Sequence, residues 1–338
     1  MNAVSPFAAL IDQVADWQDT FFLRVVEPSM QALGLASYAE DAYGAVYWLA
    51  AGLGVLFVTA LVLAPAERWR PAEPLPGDEA GRRERRAAIR TDVVYTLVDR
   101  LGFVRVLMFF AIDPVLAWAR PLLWAEHAPW HLDQSIASWW PGVTDAPLVG
   151  FLAYLLLLDF AGYLVHRAQH RFAWWWALHA VHHSQRHMTV WTDSRNHLLD
   201  TLVVDAVFAT LAQLVGVPPG QFIALVMLTK LAESLAHANL DLSFGRWMGK
   251  VFVSPRFHRV HHAMGGARGG REDHDADNCN YGVLFPMWDF ACRTARFDLS
   301  PGPTGIADQR EAAGGRDYGR GFWAQQVLAI RRMVNAST

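Results

Sequence analysis

The stretch HRAQHRFAWWWALHAVHH, residues 166–183, decides how this chain is read, and HRVHH at 258–262 answers it. His166 and His170 stand at i, i+4, which on a helix puts both imidazoles on one face about one turn apart. His179, His182 and His183 follow an i, i+3, i+4 pattern, and His258, His261 and His262 repeat it. One such box alone reads equally well as a solvated helix face or a set of capped core histidines. Eight histidines in three boxes, from fourteen in the chain, read as metal ligands, since imidazole binds Zn, Cu, Fe and Ni. Eight donors exceed the needs of one four-coordinate ion, and two ions sharing the boxes is the simpler count.

Composition sets the surroundings. Apolar residues make up 53% of the 338 and charged residues 18%, against about 25% charged in soluble domains. With 15 Trp and 19 Phe beside long apolar runs, this is the composition of a membrane protein with one fused catalytic region. A net charge of -3, with no basic stripe or nucleic-acid motif, argues against a nucleic-acid partner. Cys279 and Cys292 make neither a disulfide framework nor a C-x-x-C pair and read as buried free thiols. The first residues lack the basic and apolar regions of a cleavable signal peptide, so insertion is expected to rely on internal spans.

Along the chain, residues 7–35 are expected to form an amphipathic helix at the bilayer surface. Ala45 to Leu63 is long and uncharged enough to cross a hydrocarbon core. Arg68, Arg70, Arg82, Arg83, Arg85, Arg86 and Arg90 then mark a cytoplasmic loop by the positive-inside rule, placing the N-terminus outside. Residues 92–119 are expected to span, with Asp92, Asp99, Arg100, Arg105 and Asp113 near the ends or facing other helices. The loop 120–145, with Trp124, Trp130, Trp139 and Trp140, has the composition of an external interfacial loop. Leu148–Val165 returns and delivers His166 just beyond the membrane. Thr201–Val217 and Gln221–Ala236, joined by Pro218-Pro219-Gly220, read as a helical hairpin that brings His237 back to the side His197 left. Every histidine box then lands on the cytoplasmic face. The chain divides into 1–90 with the first span and Arg-rich loop, a catalytic region over 91–300, and a tail over 301–338 with an amphipathic helix from Tyr318 to Met333.

The three boxes, with NYG at 280–282 and Trp288-Asp289, resemble the fatty acid hydroxylase / sterol desaturase superfamily of integral-membrane, non-haem di-iron enzymes. Asp159 with Tyr163, the Arg195 and His197 pair, and His237-Ala238-Asn239 match that pattern too. The resemblance covers about 90–300. It implies an all-α membrane helix bundle capped by a cytosolic histidine-rich helical region, a centre of two iron ions, and O2 as co-substrate. Three departures leave the substrate and local loops open: Leu198 stands where a proline often follows the histidine. MGGARGGREDHDAD extends the link to NYG, and CRT replaces the usual glycine-threonine after the WD segment.

If the ions are iron, the chemistry is O2 activation and attack on an unactivated C–H bond, for which redox-inert zinc is unsuited. The expected ligands are His166, His170, His179, His182, His183, His258, His261 and His262, with His237 as a ninth donor and His197 as ligand or neighbour. Asp159, Asp193, Asn239, Asn280 and Asp289 are candidates to hold ring N–H groups, or equally to cap helices and loops. His127, His131, His187 and His274 fall outside the boxes. Arg167 and Arg259 face lipid phosphate or pair with a carboxylate. A lipid substrate (fatty acyl, sterol or isoprenoid-like) is expected, because such a chain reaches the site from within the bilayer. Trp174, Trp175, Trp176 and Trp191 line its pocket or anchor the interface. No flavin, dinucleotide or haem-attachment motif appears, so electrons are expected from a separate cytochrome b5-like protein, ferredoxin or reductase. The bacterial inner membrane is the expected location. Lipid hydroxylation leads, with desaturation at the same centre as the alternative and a metal-handling membrane protein further behind. A zinc hydrolase lacks the H-E-x-x-H pair that it needs.

Overall fold

The computed structural model describes residues 16–111, 114, 115, 118, 121, 132–142, 147–264, 279–298 and 302–336. The start of the expected N-terminal helix, the interfacial-loop residues Trp124, Trp130, His127 and His131, and the acidic segment with His274 lie outside the described residues. Among the described residues the fold is all α, with one isolated bridge between Ala263 and Thr304. It is a membrane helix bundle. Ala36–Ala66 and Leu148–Arg171 are long and apolar enough to cross a bilayer. Only 28% and 39% of their most apolar windows are buried inside the protein. Side chains such as Leu53, Phe57, Leu61, Leu148 and Leu152 face outward, a surface that lipid covers and water does not.

The main helices are α1 (Ala39–Val58), α2 (Glu79–Arg100), α3 (Phe103–Ala111), α4 (Pro147–Arg171), α5 (Ala173–His183), α6 (Leu198–Leu214), α7 (Pro219–His237), α8 (Pro255–His261), α9 (Met287–Cys292) and α10 (Phe322–Ala336). The Arg-rich segment, expected as a loop, is helical from Glu79 onward. Asp78 caps it by accepting from the Gly81 amide at 3.0 Å, and Glu79 pairs with Arg82, Arg83 and Arg86. Alanine, arginine and glutamate are strong helix formers, and i, i+3 and i, i+4 pairs add to that.

The expected single span over 92–119 therefore starts earlier, and it breaks at Leu101-Gly102, where Gly102 has φ +86°. Asp92 and Arg100 face inward. Arg195 reaches Asp92 at 2.6 Å and Arg100 reaches Asp193 at 2.6 Å, all four buried. Gln185 and Thr192 also donate to Asp92. These pairs hold α2 against the segment between the second box and α6.

The expected hairpin forms as α6 and α7, turning at Gly216 (φ +69°) and Pro218-Pro219. Hairpin α6–α7 leans on α3, α1 and α8, while α5 packs between α4 and α10. The predicted C-terminal amphipathic helix is thus part of the wall behind the second histidine box. Among the described residues, neither hairpin helix is long and apolar enough to count as a span.

Candidate metal centre

Four elements supply the histidines. His166 and His170 sit on the last turns of α4, which runs on to Arg171 rather than ending before the box. His179, His182 and His183 come from α5, His237 from the end of α7, and His258, His261 and His262 from α8 and its C-cap. Ser254 caps α8 by accepting from the Phe257 amide, and Pro255 opens it.

Two groups of four result. His166, His170, His183 and His261 form one, His182, His237, His258 and His262 the other, with the ligand atoms of each group within 4.8 Å of one another. In the second group Nε2 of His237 lies 3.0 Å from Nε2 of both His182 and His258, and His258 lies 3.2 Å from His262. In the first, the Nε2 atoms of His170 and His183 are 3.1 Å apart. Four nitrogens bound tetrahedrally to one ion at about 2.0–2.1 Å stand roughly 3.3 Å from each other, so the spacing suits a single cation in each group.

Ring orientation points the same way. His166 Nδ1 lies 2.9 Å from the Tyr281 carbonyl, His261 Nδ1 2.7 Å from the Cys279 carbonyl, and His237 Nδ1 2.8 Å from the Glu233 carbonyl. A carbonyl only accepts, so each Nδ1 carries the proton and Nε2 keeps its lone pair for the group. His261 Nε2 is buried and has no hydrogen-bond partner. Burial and neighbouring imidazoles hold His182, His183, His258 and His262 well below the ordinary histidine range, and burial brings His261 down to about 3. Neutral rings with free lone pairs are what a divalent ion requires.

Two expected donors lie elsewhere. His179 belongs to neither group. Its ring stands between them, 5.2 Å from those of both His170 and His182, and its buried Nε2 has no partner. His197 caps α6: its Nδ1 accepts from the Leu199 amide at 3.0 Å and its Nε2 donates to the Gln326 carbonyl at 3.1 Å. Both nitrogens are used, and the ring is not at the centre.

The residues expected to hold ring N–H groups do other work. Asp159 accepts from the Leu284 and Phe285 amides and the Trp288 indole. Asp289 accepts from the Tyr281 and Gly282 amides and from Thr294, and burial pushes its carboxyl up. Asn280, at φ +57°, bonds to Phe257 and Arg296. Gly282 allows the loop to close, since a Cβ there would stand 2.8 Å from Asp289 and 2.9 Å from the Phe285 carbonyl. Together these bonds aim the Tyr281 and Cys279 carbonyls at His166 and His261. Asn239 bonds to Glu73 and receives no ring. Arg259 pairs with Glu73 at 2.7 Å, and Arg167 donates to Tyr163. The carboxylate that does meet a ring is Asp200, which takes His179 Nδ1 at 3.3 Å, Trp175 Nε1 at 2.7 Å and Gln169 Nε2 at 2.8 Å. Its signal was an acid in the first turn of the helix after His197, which resembles an ordinary helix-dipole partner.

Two cavities reach the histidines. One of about 130 Å³ lies between α4, α6 and α7 and touches His166, His179, His182, His237 and His258. Another of about 350 Å³ reaches His170, His183 and His261 from the side of residues 305–308. Trp176 covers that second entrance, its ring 5.0 Å from that of His170. Trp175 holds Asp200, Trp174 stacks on Trp175, and Trp191 packs near Val190 and Leu240. Of the four tryptophans, Trp176 alone lines either of these cavities.

The sequence profile of the fatty acid hydroxylase family matches residues 151–294. An ornithine lipid hydroxylase of Rhizobium tropici is 30% identical over 178 residues, 53% of this chain and 49% of that protein. An alkylglycerol monooxygenase of Caenorhabditis elegans is 32% identical over 135 residues, 40% of this chain and 25% of its own length. One of Danio rerio is 28% identical over 145 residues, 43% of this chain and 30% of that protein. The chain thus spans about half the length of the first relative and a third or less of the other two. No solved structure matches significantly. Boxes, loop motif and profile coincide on one segment, and in that segment the chain is similar to the fatty acid hydroxylase family.

Proposed function

We propose that this chain is a membrane-embedded, O2-dependent lipid hydroxylase whose two four-histidine groups each hold one iron ion. The observation that carries the reading is the partition of eight neutral imidazoles into two groups with tetrahedral spacing. Bound iron supplies the redox chemistry that puts one oxygen atom of O2 into a C–H bond, the other leaving as water with two electrons and two protons from a separate donor. The chain supplies the rest. The Tyr281, Cys279 and Glu233 carbonyls fix the tautomers of His166, His261 and His237. Asp200 orients His179 between the groups, and the cavity among α4, α6 and α7 admits substrate from the bilayer side.

Two relatives named for lipid hydroxylation or monooxygenation favour hydroxylation over desaturation, which would begin with the same hydrogen abstraction. Ion transport would call for ligands near mid-span, whereas these histidines stand at helix ends. We assign their side of the bilayer to the cytoplasm of a bacterial inner membrane. The Arg-rich α2 reaches the segment just after the second box through Glu84 and Arg186, 3.6 Å apart.

The test is metal analysis with O2 uptake on the purified protein, given a reductant and a membrane lipid extract. Two equivalents of iron, restored O2 uptake on reloading, and a lipid product heavier by one oxygen are expected. Activation by zinc alone without O2 uptake would overturn the proposal.

A further inference from the structure

Against α8 lies a groove of about 250 Å³ that no histidine lines. Its wall carries four cations, Arg246, Lys250, Arg256 and Arg296, and among the described residues no acid. Phe257 and Val260 of α8 supply its apolar side together with Phe297, whose ring stands 4.7 Å from that of Phe257.

The cations are loosely engaged. Arg256 stands 3.8 Å from Asp241, which also faces Arg70 at 3.7 Å, and Arg296 stands 3.5 Å from Asp298. Arg246 lies over the Trp247 ring at 5.2 Å, and neither it nor Lys250 pairs with a carboxylate among the described residues. Arginine and lysine left free on one wall match a phosphate.

The groove also sits at bilayer height. The Val253 amide donates to the Leu284 carbonyl at 2.9 Å, and the Leu284 amide donates to Asp159 at 2.9 Å. Asp159 belongs to the span Leu148–Arg171, about two turns before His166. Beside the groove, Trp247, Met248, Val251 and Phe252 point outward, Trp247 with 73% exposure. Apolar and aromatic side chains next to long cationic ones are the composition of a segment lying in the membrane interface. A cytosolic position would leave all four in water, so the occupant of the groove comes from the bilayer.

We infer that this groove binds the phosphate of an anionic phospholipid, held as a companion of the protein and not as its substrate. A neutral lipid offers the four cations no anion. A zwitterionic headgroup brings a cation of its own to a wall that has no carboxylate to receive it. An anionic headgroup has neither defect. Phe257 precedes His258 and Val260 precedes His261, so a headgroup seated there braces the helix that presents the third histidine box. None of this depends on the hydroxylase reading.

The experiment measures ligand retained on the full-length, detergent-purified protein by native mass spectrometry. The probes are phosphatidylglycerol, phosphatidylcholine, diacylglycerol and inorganic phosphate. The wild-type protein should retain phosphatidylglycerol about fivefold over phosphatidylcholine, with diacylglycerol below both. Arg246→Gln and Lys250→Gln should each lower phosphatidylglycerol retention about fivefold, the scale of one basic side chain facing an anionic headgroup. Arg83→Gln, which removes an exposed charge from α2, should leave it unchanged. Equal retention of phosphatidylglycerol and phosphatidylcholine by the wild-type protein would overturn the inference without relying on any variant. Retention that survives the double groove variant but falls in Arg83→Gln would overturn it too, by moving the site to α2. Displacement of the lipid by millimolar inorganic phosphate would give the groove to a free anion, and displacement by an acidic electron-transfer protein would give it to a docking partner. Either result would sink the lipid assignment.

Discussion

His182 and His183 are consecutive yet serve different groups, as do His261 and His262. Neighbours on a helix point about 100° apart, so the doublet ending each H-x-x-H-H box addresses two sites at once. His261→Ala and His262→Ala should therefore each lose about one of two metal equivalents, and the double variant both, by elemental analysis of purified protein. Asp200→Asn puts an amide where three donors converge. Turnover or metal affinity should fall on the order of 10–100-fold with membrane insertion intact. His197→Ala should do neither. It removes an N-cap, costing about 1 kcal/mol of thermal stability, while metal content stays unchanged.

Between elements, close approach and buried charge do the holding. A Cβ at Gly52 on α1 would stand 2.0 Å from the Arg100 carbonyl at the end of α2, whereas one at Gly54 would meet only the flexible end of Met227 at 3.7 Å. Gly52→Ala should lower the melting temperature in detergent by the equivalent of roughly 1–3 kcal/mol, and Gly54→Ala should not. Arg195→Leu strands Asp92, which is fully buried with its guanidinium partner at 2.6 Å. Losing one half of such a pair costs about 3–5 kcal/mol. The variant should be recovered in reduced yield with a depressed melting temperature, and equal stability would show that Gln185 and Thr192 suffice for that carboxylate.

At the scale of the whole molecule, metal held in the two proposed sites would crosslink α4, α5, α7 and α8, so chelation should lower the melting temperature and iron or zinc should restore it, while iron alone restores O2 uptake. Much of this was legible in the chain. The i, i+4 and i, i+3, i+4 spacings announced histidine-bearing helices, the uncharged run from Ala45 announced α1, and Pro218-Pro219-Gly220 announced the hairpin. These are local signals, carried by helix geometry and by residues whose backbone angles are restricted.

Other assignments needed coordinates. His179 and His197 look like ligands by sequence neighbourhood, but the first stands between the groups and the second spends both nitrogens on caps and carbonyls. Asp159, Asn280 and Asp289 hold backbone amides and carbonyls rather than rings, and the break of α2 at Gly102 escaped the hydrophobic pattern. By itself the sequence determined that imidazoles would be presented on helix faces at a membrane, because helical periodicity and apolar length depend on near neighbours alone. Only the tertiary structure decided which four rings share a group, which nitrogen of each faces it, and which acid stands behind. Those depend on where α4, α5, α7 and α8 cross, and residues distant along the chain set that crossing.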